Sequence, residues 1–198
     1  EMCIRDRYMV KYAPAEGGVM LQTEDEISAC TMAIGAAYAG ARAFTATAGP
    51  GLSLMAEAIG LAEMTETPLV VIDTQRGGPS TGLPTKHEQS DLMAAIYNTH
   101  GDTAKIVISP SSIEESFYDT FEAFNLAEEY QCPVIVLSDL QLSLGKQSVT
   151  SLDYGKLQVR RGKLVKDGLP EIKSPEYFKR YDLEACLLYT SPSLRDYA

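Results

Sequence analysis

Short apolar runs rich in β-branched residues alternate with longer segments of helical periodicity, and this alternation restricts the possible fold more than any other feature. It is typical of βαβ units, in which helices cross over a mostly parallel sheet. The apolar runs predict strands at residues 18–22, 43–47, 69–73, 105–108 and 134–138. Because such crossovers are right-handed, the sequence predicts an α/β fold, a three-layer α/β/α sandwich.

Two of the intervening segments have the spacing of amphipathic helices. Their stripes consist of Ile27, Thr31, Ile34 and Tyr38 in the first, and of Ile113, Phe117, Phe121 and Phe124 in the second. The second helix is preceded by Ser112 with Glu115 three residues later, the pattern of a capping box.

Residues 8–145 are strongly acidic, with five lysines and arginines against eighteen acids, a net charge of −13. Such a surface disfavours nucleic acid as a partner. No run approaches the ~20 apolar residues that a membrane span requires. Cys30 and Cys132 have neither metal-site spacing nor a nearby partner for a disulfide. We therefore expect a cytoplasmic protein that neither binds nucleic acid nor enters a membrane.

The two ends of the chain are set apart from the fold prediction. Residues 1–7 and 186–192 can be back-translated into reverse-complementary DNA strings that resemble a transposon-end sequencing adapter, so we expect 1–7 and 186–198 to be artefacts. We predict that residues 8–145 form one domain. Between residues 146 and 185 the charge balance turns to +3 and glycine and proline recur, which predicts a linker and the start of a next domain.

Three adjacent acids, Glu24, Asp25 and Glu26, stand where the first predicted strand meets the first helix. Thr23 as N-cap with Glu26 three residues later fits a capping box, which is a purely structural role. However, ligands bind at the carboxyl ends of strands in α/β sheets. Spacing alone leaves both roles open for Glu26.

Thr47-Ala48-Gly49-Pro50-Gly51 joins the second predicted strand to a helix. The glycines and proline suit a tight turn, and they equally suit a backbone kept free of side chains so that a cofactor can lie against it. The motif is neither GxGxxG nor GxSxG, so a dinucleotide-binding or hydrolase assignment loses its main support.

Residues 75–86, Gln-Arg-Gly-Gly-Pro-Ser-Thr-Gly-Leu-Pro-Thr-Lys, follow the most apolar predicted strand. Arg76 is one of only two arginines in residues 8–145. Its planar fork suits a carboxylate ligand. The alternative is that Arg76 pairs with Asp73 and that Thr85 caps the next helix, with Glu88 as its capping-box partner. A phosphate-binding P-loop is excluded because leucine and proline stand where that motif requires lysine and serine or threonine.

Together with residues 64–71, Met-Thr-Glu-Thr-Pro-Leu-Val-Val, these stretches closely resemble the alpha subunits of 2-oxoacid:ferredoxin oxidoreductases, nearest to the 2-oxoglutarate branch. The resemblance covers roughly residues 17–145 and implies a thiamine diphosphate pyrimidine-binding domain that faces a diphosphate-binding domain on a beta subunit. It implies as cofactor-binding residues Glu26, Thr47, Gly49, Pro50 and Gly51. It implies as substrate-binding residues Arg76, Ser80, Thr81 and Thr85, with Glu26 and Arg76 as catalytic residues.

The resemblance also implies a reaction. Glu26 would hydrogen-bond the aminopyrimidine ring and favour the tautomer that activates the thiazolium carbon, while Arg76 would hold the substrate carboxylate. A small 2-oxoacid, by this resemblance 2-oxoglutarate, would lose carbon dioxide, pass electrons to ferredoxin and give its acyl group to coenzyme A, or react in reverse. We expect Mg²⁺ and a 4Fe-4S cluster on the beta subunit and no metal on this chain, whose two scattered cysteines cannot hold a cluster.

Two alternatives stay open. The chain could be a non-catalytic binding or regulatory domain of the same fold, or a subunit of another thiamine diphosphate enzyme. In the family a Tyr-Pro-Ile-Thr-Pro stretch contributes a threonine near the substrate and would lie just before Tyr8, where this sequence lacks it. For that reason, and because the partner domain is a separate chain, we expect the 198-residue chain alone to be inactive.

Overall fold

The computed structural model describes residues 2–164 and centres on a sheet of four parallel strands. The strands are β1 (Phe44–Thr47), β2 (Leu69–Gln75), β3 (Ile106–Ile108) and β4 (Pro133–Asp139), in the spatial order β1-β2-β4-β3. Every neighbouring pair is parallel. The predicted α/β class is therefore confirmed, together with four of the five predicted strands.

Seven α-helices lie in the described part of the chain. They are α1 (Met2–Tyr12), α2 (Glu26–Tyr38), α3 (Gly51–Leu54), α4 (Ala56–Met64), α5 (Leu92–Tyr97), α6 (Ile113–Tyr130) and α7 (Leu140–Leu144). None of the helices within residues 2–164 has both the length and the apolar character that crossing a bilayer requires.

Helices cover both faces of the sheet, which gives the three layers. Leu69 and Val71 of β2 belong to a core cluster with residues of α2, α4 and α5. Val70, between them in sequence, belongs to a second cluster with Ala123 and Ala127 of α6. The two clusters follow from the period of two along a strand, which points successive side chains to opposite faces. The central strands are thus buried on both sides, as in other parallel sheets.

The strand predicted at residues 18–22 was wrong. This segment is irregular and pairs with no strand among residues 2–164. Val19 and Leu21 alternate as in a strand, but their side chains are 81% and 61% exposed. Local alternation is insufficient because a strand also requires a partner alongside it.

The apolar stripe predicted for α2 was wrong except at Ile34, which is buried. Ile27 and Tyr38 are exposed, and the buried residues of α2 are Cys30, Ala33, Ile34 and Ala37. Small side chains let a helix approach its neighbours closely, so cysteine and alanine form the contact in place of the larger apolar residues. The cap of α6 lies where it was predicted: the Ser112 hydroxyl accepts a hydrogen bond from the Glu115 amide at 3.1 Å.

Residues 157–161, here called the return segment, pack back onto α6. The guanidinium of Arg161 contacts Glu128 at 2.9 Å, and Arg160 pairs with Glu122. The predicted linker therefore begins with residues that stay attached to the domain. The predicted next domain and the suspected artefact at 186–198 lie outside the described residues. Residues 2–7 belong to α1, and their suspected origin remains a prediction.

Candidate active site

The candidate residues gather at the carboxyl ends of β1 and β2, the edge where α/β sheets bind ligands. β1 ends at Thr47 and β2 at Gln75, and Thr47 lies directly beside Asp73 in the sheet register. The turn 48–51, the loop 76–90 and the start of α2 surround this edge. The three stretches singled out in the sequence therefore meet at one place in the fold.

Asp25, rather than Thr23, caps α2. The Asp25 carboxylate accepts a hydrogen bond from the Ser28 amide at 2.8 Å, and this bond lowers the pKa of Asp25. Thr23 instead donates its hydroxyl to the backbone carbonyl of Asp25 at 3.1 Å. The predicted capping box of Thr23 and Glu26 was therefore wrong, because the cap lies one position before Glu26. As the first residue of α2, Glu26 has no capping role to perform.

Glu26 contacts the turn that follows β1. A β-carbon placed on Gly51 would lie 2.8 Å from Cγ of Glu26 and would overlap Oγ1 of Thr47. Glycine is therefore required at position 51 for these side chains to reach the turn. The Thr47 hydroxyl is buried and has no hydrogen-bond partner among the described residues. A half-buried carboxylate and an unsatisfied hydroxyl thus lie against a bare backbone, which suits a polar ligand.

Gly49 connects this turn to Arg76. Its backbone has a φ of +64°, a left-handed conformation that favours glycine. Its amide donates to Oδ1 of Asp73 at 3.2 Å. A β-carbon on Gly49 would lie 3.0 Å from Nε of Arg76, so the arginine lies directly against the turn. Pro50 follows with a φ of −63° and precedes the first residue of α3.

Arg76 is half-buried and uses none of its donors within the described chain. Its Nε is buried without a hydrogen-bond partner, and no carboxylate in residues 2–164 lies within ion-pair distance of it. Arg76 therefore does not form the direct ion pair with Asp73 that the sequence left open as an alternative. Burial raises the pKa values of Asp73 and Asp91, and the arginine is close enough to offset part of that rise.

The rest of the loop 76–90 is folded on itself and exposed. The Gly77 carbonyl accepts from the Leu83 amide at 2.8 Å, and the Glu88 carboxylate accepts from the Gly78 amide at 3.2 Å. Ser80, Thr81 and Thr85 all lie on its exposed surface. Thr85 caps no helix, since α5 begins only at Leu92. The structure thus joins Glu26, Thr47, Gly49 and Gly51 to Arg76 but leaves these three hydroxyls open to solvent.

Two acids at this edge, Asp73 and Asp91, were not identified from the sequence as candidate site residues. Asp73 is completely buried, and burial followed by the nearby Asp91 raises its pKa to about 7. The pKa of Asp91 is also raised, by burial and by Glu88. Asp73 could have been identified from the sequence, because an aspartate at the end of the apolar run 69–73 is unusual. The sequence offered no comparable sign for Asp91.

The residues at the strand ends fit the pyrimidine half of thiamine diphosphate. Glu26 offers a carboxylate, Thr47 an unsatisfied hydroxyl, and Gly49 and Gly51 an uncovered backbone. Within residues 2–164 there is no group of three or more His, Cys, Asp or Glu side chains placed to hold a metal ion. A cavity of about 430 Å³ lies elsewhere, lined by Tyr97, Thr99 and Lys105 among others, and includes no residue of the candidate site.

Comparison with known proteins agrees with this geometry. The family model described as pyruvate flavodoxin/ferredoxin oxidoreductase, thiamine diP-binding, matches residues 6–183. The 2-oxoglutarate synthase subunit KorA of Methanothermobacter thermautotrophicus is 48% identical over 175 residues, which cover 83% of this chain and 46% of the relative. Subunit alpha of 2-oxoacid:ferredoxin oxidoreductase 1 from Aeropyrum pernix is 51% identical over 144 residues, covering 73% of this chain and 22% of the relative.

A solved structure is similar over nearly the whole chain. It is 2-oxoglutarate:ferredoxin oxidoreductase from Magnetococcus marinus with 2-oxoglutarate, coenzyme A and succinyl-CoA bound. The TM-score is 0.83 at 42% identity, covering 96% of this chain and 32% of that one. The chain thus spans less than half the length of each of these relatives. It belongs to the pyruvate flavodoxin/ferredoxin oxidoreductase family, as part of its thiamine diphosphate-binding region.

Proposed function

We propose that this chain is the pyrimidine-binding part of the alpha subunit of a 2-oxoacid:ferredoxin oxidoreductase, with 2-oxoglutarate as the oxoacid. The observation that carries the proposal is the contact of Glu26 with the bare turn at Gly51, beside the unsatisfied hydroxyl of Thr47. Because Asp25 provides the cap of α2, capping does not account for the carboxylate at position 26, and its place in the first turn does not explain why it lies against Gly51. This favours catalysis over a non-catalytic domain of the same fold.

Glu26 would hold the aminopyrimidine ring by a charged hydrogen bond, and Thr47, Gly49, Pro50 and Gly51 would form the turn that receives it. Thiamine diphosphate supplies the carbon nucleophile and takes up the electrons left when carbon dioxide departs. Glu26 contributes by holding or releasing a proton at the ring nitrogen, a general acid–base role. The turn contributes by keeping side chains and water away from the ring.

Arg76 holds the carboxylate of the oxoacid, and the hydroxyls of Ser80, Thr81 and Thr85 complete the substrate side. The free donors of the guanidinium support this assignment, because a charged group half-buried without a partner is costly unless a ligand pairs with it. The position of the arginine against Gly49 places it next to the cofactor turn. Substrate and cofactor would then lie on the same side of the sheet edge.

The remaining parts of the enzyme belong to partners. A beta subunit carries the diphosphate-binding domain, Mg²⁺ and the 4Fe-4S cluster, ferredoxin takes the electrons, and coenzyme A takes the acyl group. The names of the relatives support a multi-subunit enzyme that uses ferredoxin and coenzyme A, since they print subunit alpha, ferredoxin and bound coenzyme A. The enzyme works in the cytoplasm, where its two buried cysteines, Cys30 and Cys132, remain free thiols.

The proposal is tested by Arg76→Lys in the complete alpha–beta complex. Lysine keeps the charge but loses the two parallel hydrogen bonds, so we expect the KM for 2-oxoglutarate to rise by about tenfold or more. Arg42→Lys is the matched control, because Arg42 hydrogen-bonds Asn125 on α6 and lies outside the site. A KM that is the same in the Arg76 variant and the wild type would refute the assignment.

A further inference from the structure

Asp73, which is buried, and Asp91, which is half-buried, form a pair of acids at the site. The Asp73 side chain is on β2 with no exposed surface, and its Oδ1 accepts the Gly49 amide at 3.2 Å. Its Oδ2 is buried without a donor, and so is Oδ2 of Asp91. Two carboxylates cannot hydrogen-bond each other while both are ionised. A single proton between them would satisfy both orphaned oxygens.

The backbone fixes the two acids in place. The Asp91 amide donates to the side-chain carbonyl of Gln75 at 2.9 Å. Gln75 is buried and lies two residues after Asp73 on β2, so both side chains leave the strand on the same face. Asp91 is therefore tied to the same strand end as Asp73.

The pKa shifts agree with one shared proton. Burial raises the pKa of both carboxyls, and the nearby Asp91 raises that of Asp73 further, as expected when two close acids share one proton. Arg76 lowers both pKa values and Glu88 raises that of Asp91. The other charged groups at this sheet edge are Glu26 at the start of α2, and His87 and Asp139.

We propose that Asp73 and Asp91 hold one proton between them and act as positioning residues that keep Arg76 available for the oxoacid carboxylate. The inference rests on the proposed role of Arg76. It adds that the negative charge next to the arginine is set by one proton on the two acids. With the proton present, the pair carries one negative charge, which balances the arginine. Without it, the pair carries two negative charges, which attract the guanidinium inward and repel the incoming carboxylate.

This arrangement couples substrate binding to the proton. A carboxylate bound at Arg76 favours the protonated pair, and the protonated pair favours the bound carboxylate, by thermodynamic reciprocity. The oxoacid itself stays ionised at neutral pH, so its own titration does not contribute. We therefore expect the wild-type KM to be constant at low pH and to rise by up to about tenfold per pH unit once the pair loses its proton.

The test measures KM and kcat from about pH 6 to about pH 9 in the complete complex, since activity in this range reports such groups. The variant is Asp91→Asn, whose amide can donate to an ionised Asp73 and so keeps one negative charge throughout. Asp91 makes no side-chain cap on α5, so the substitution removes no helix cap. We expect the KM of this variant to be independent of pH, while Asp119→Asn, an acid on α6 whose pKa burial also raises, keeps the wild-type profile.

Infrared spectroscopy of the same complexes detects the shared proton directly. The absorption of a protonated carboxyl should disappear as the pH of the wild type rises through about 7. It should be missing already at neutral pH in Asp91→Asn and in Asp73→Asn. Equal KM profiles in the wild type and Asp91→Asn, a flat wild-type profile, or an infrared band unchanged by both variants would each overturn the inference. An ineffective Arg76→Lys would instead overturn the clamp, so the two failures are distinguishable.

Discussion

Neighbouring acids at the start of α2 perform different tasks. Asp25 accepts the Ser28 amide and so completes the first turn of the helix. Glu26, one position later, directs its side chain to the turn at Gly51 and contacts the place where a Cβ would lie. Under the role proposed for Glu26, helix stability and cofactor chemistry can therefore be changed separately, because each would depend on a different carboxylate.

Glu26→Gln should therefore abolish activity and leave stability unchanged. A neutral amide cannot hold the pyrimidine nitrogen as a carboxylate does, and general acid–base contributions are about 10²- to 10⁴-fold. The measurement is oxoacid decarboxylation in the complete complex, alongside thermal unfolding of the chain.

Asp25→Ala is the matched control for Glu26→Gln. It removes the cap of α2 and should lower the melting temperature of the chain while the folded complex keeps its kcat. If Glu26→Gln were as active as the wild type in a well-folded complex, Glu26 would have no part in catalysis.

At this scale the sequence predicted Glu26 and Arg76 as candidates because each stands out locally, one among adjacent acids and the other in a glycine-rich loop. The cap was misassigned by two positions, since both Thr23 and Asp25 are good N-cap residues and only the backbone conformation decides between them. Asp91 was missed because its relation to Asp73 depends on how the intervening loop folds back. No local pattern encodes that path.

Among the secondary structure elements, the turn between β1 and α3 determines the geometry of the site. Gly49 supplies a left-handed backbone and contacts Arg76, and Gly51 admits Glu26 and Thr47. Strands β2, β3 and β4 were predictable because buried parallel strands contain continuous apolar runs, and β1 (Phe-Thr-Ala-Thr) because it is rich in β-branched and aromatic residues. The conformation of residues 18–22 was predicted wrongly, because these residues alternate as in a strand but pair with no other strand within residues 2–164.

Gly51→Ala should destabilise the chain by about 1 to 3 kcal/mol, the usual cost of forcing extra volume into a packed region. The new methyl group would collide with Thr47 and with Glu26, both fixed by their own elements. Gly35→Ala is the matched control within α2, where a β-carbon meets no atom within 4 Å. It should stabilise the chain by about 0.5 to 1 kcal/mol through helix propensity.

Chemical denaturation of both glycine variants measures these changes. In the complex, Gly51→Ala should also lower kcat because it displaces Glu26. Equal stability changes in the two variants would mean that the turn can relax, and that close approach is not what requires glycine at position 51.

Across the whole molecule, one buried side chain joins three parts of the fold. Asn125 on α6 accepts hydrogen bonds from the Arg42 guanidinium at 2.9 Å and from the Arg160 amide at 3.0 Å. Its amide donates to the Gln158 carbonyl at 3.0 Å. It thereby links α6, the segment that leads into β1 and the return segment. The sequence predicted a linker here from composition, but a polar side chain inside a helix gives no local sign that a distant segment binds to it.

Asn125→Ala should release the return segment. The substitution removes the hydrogen bonds of Asn125 to Arg42, to the Arg160 amide and to the Gln158 carbonyl, and a hydrogen bond of this kind contributes about 0.5 to 1.5 kcal/mol. We expect a loss of about 2 to 4 kcal/mol in unfolding free energy and faster trypsin cleavage after Arg160 and Arg161. Asn98→Ala, which removes one hydrogen bond to the Leu52 carbonyl, is the control and should leave this cleavage rate unchanged. Slow cleavage in a destabilised Asn125→Ala chain would show that the ion pairs of Arg160 and Arg161 with α6 hold the return segment without the asparagine.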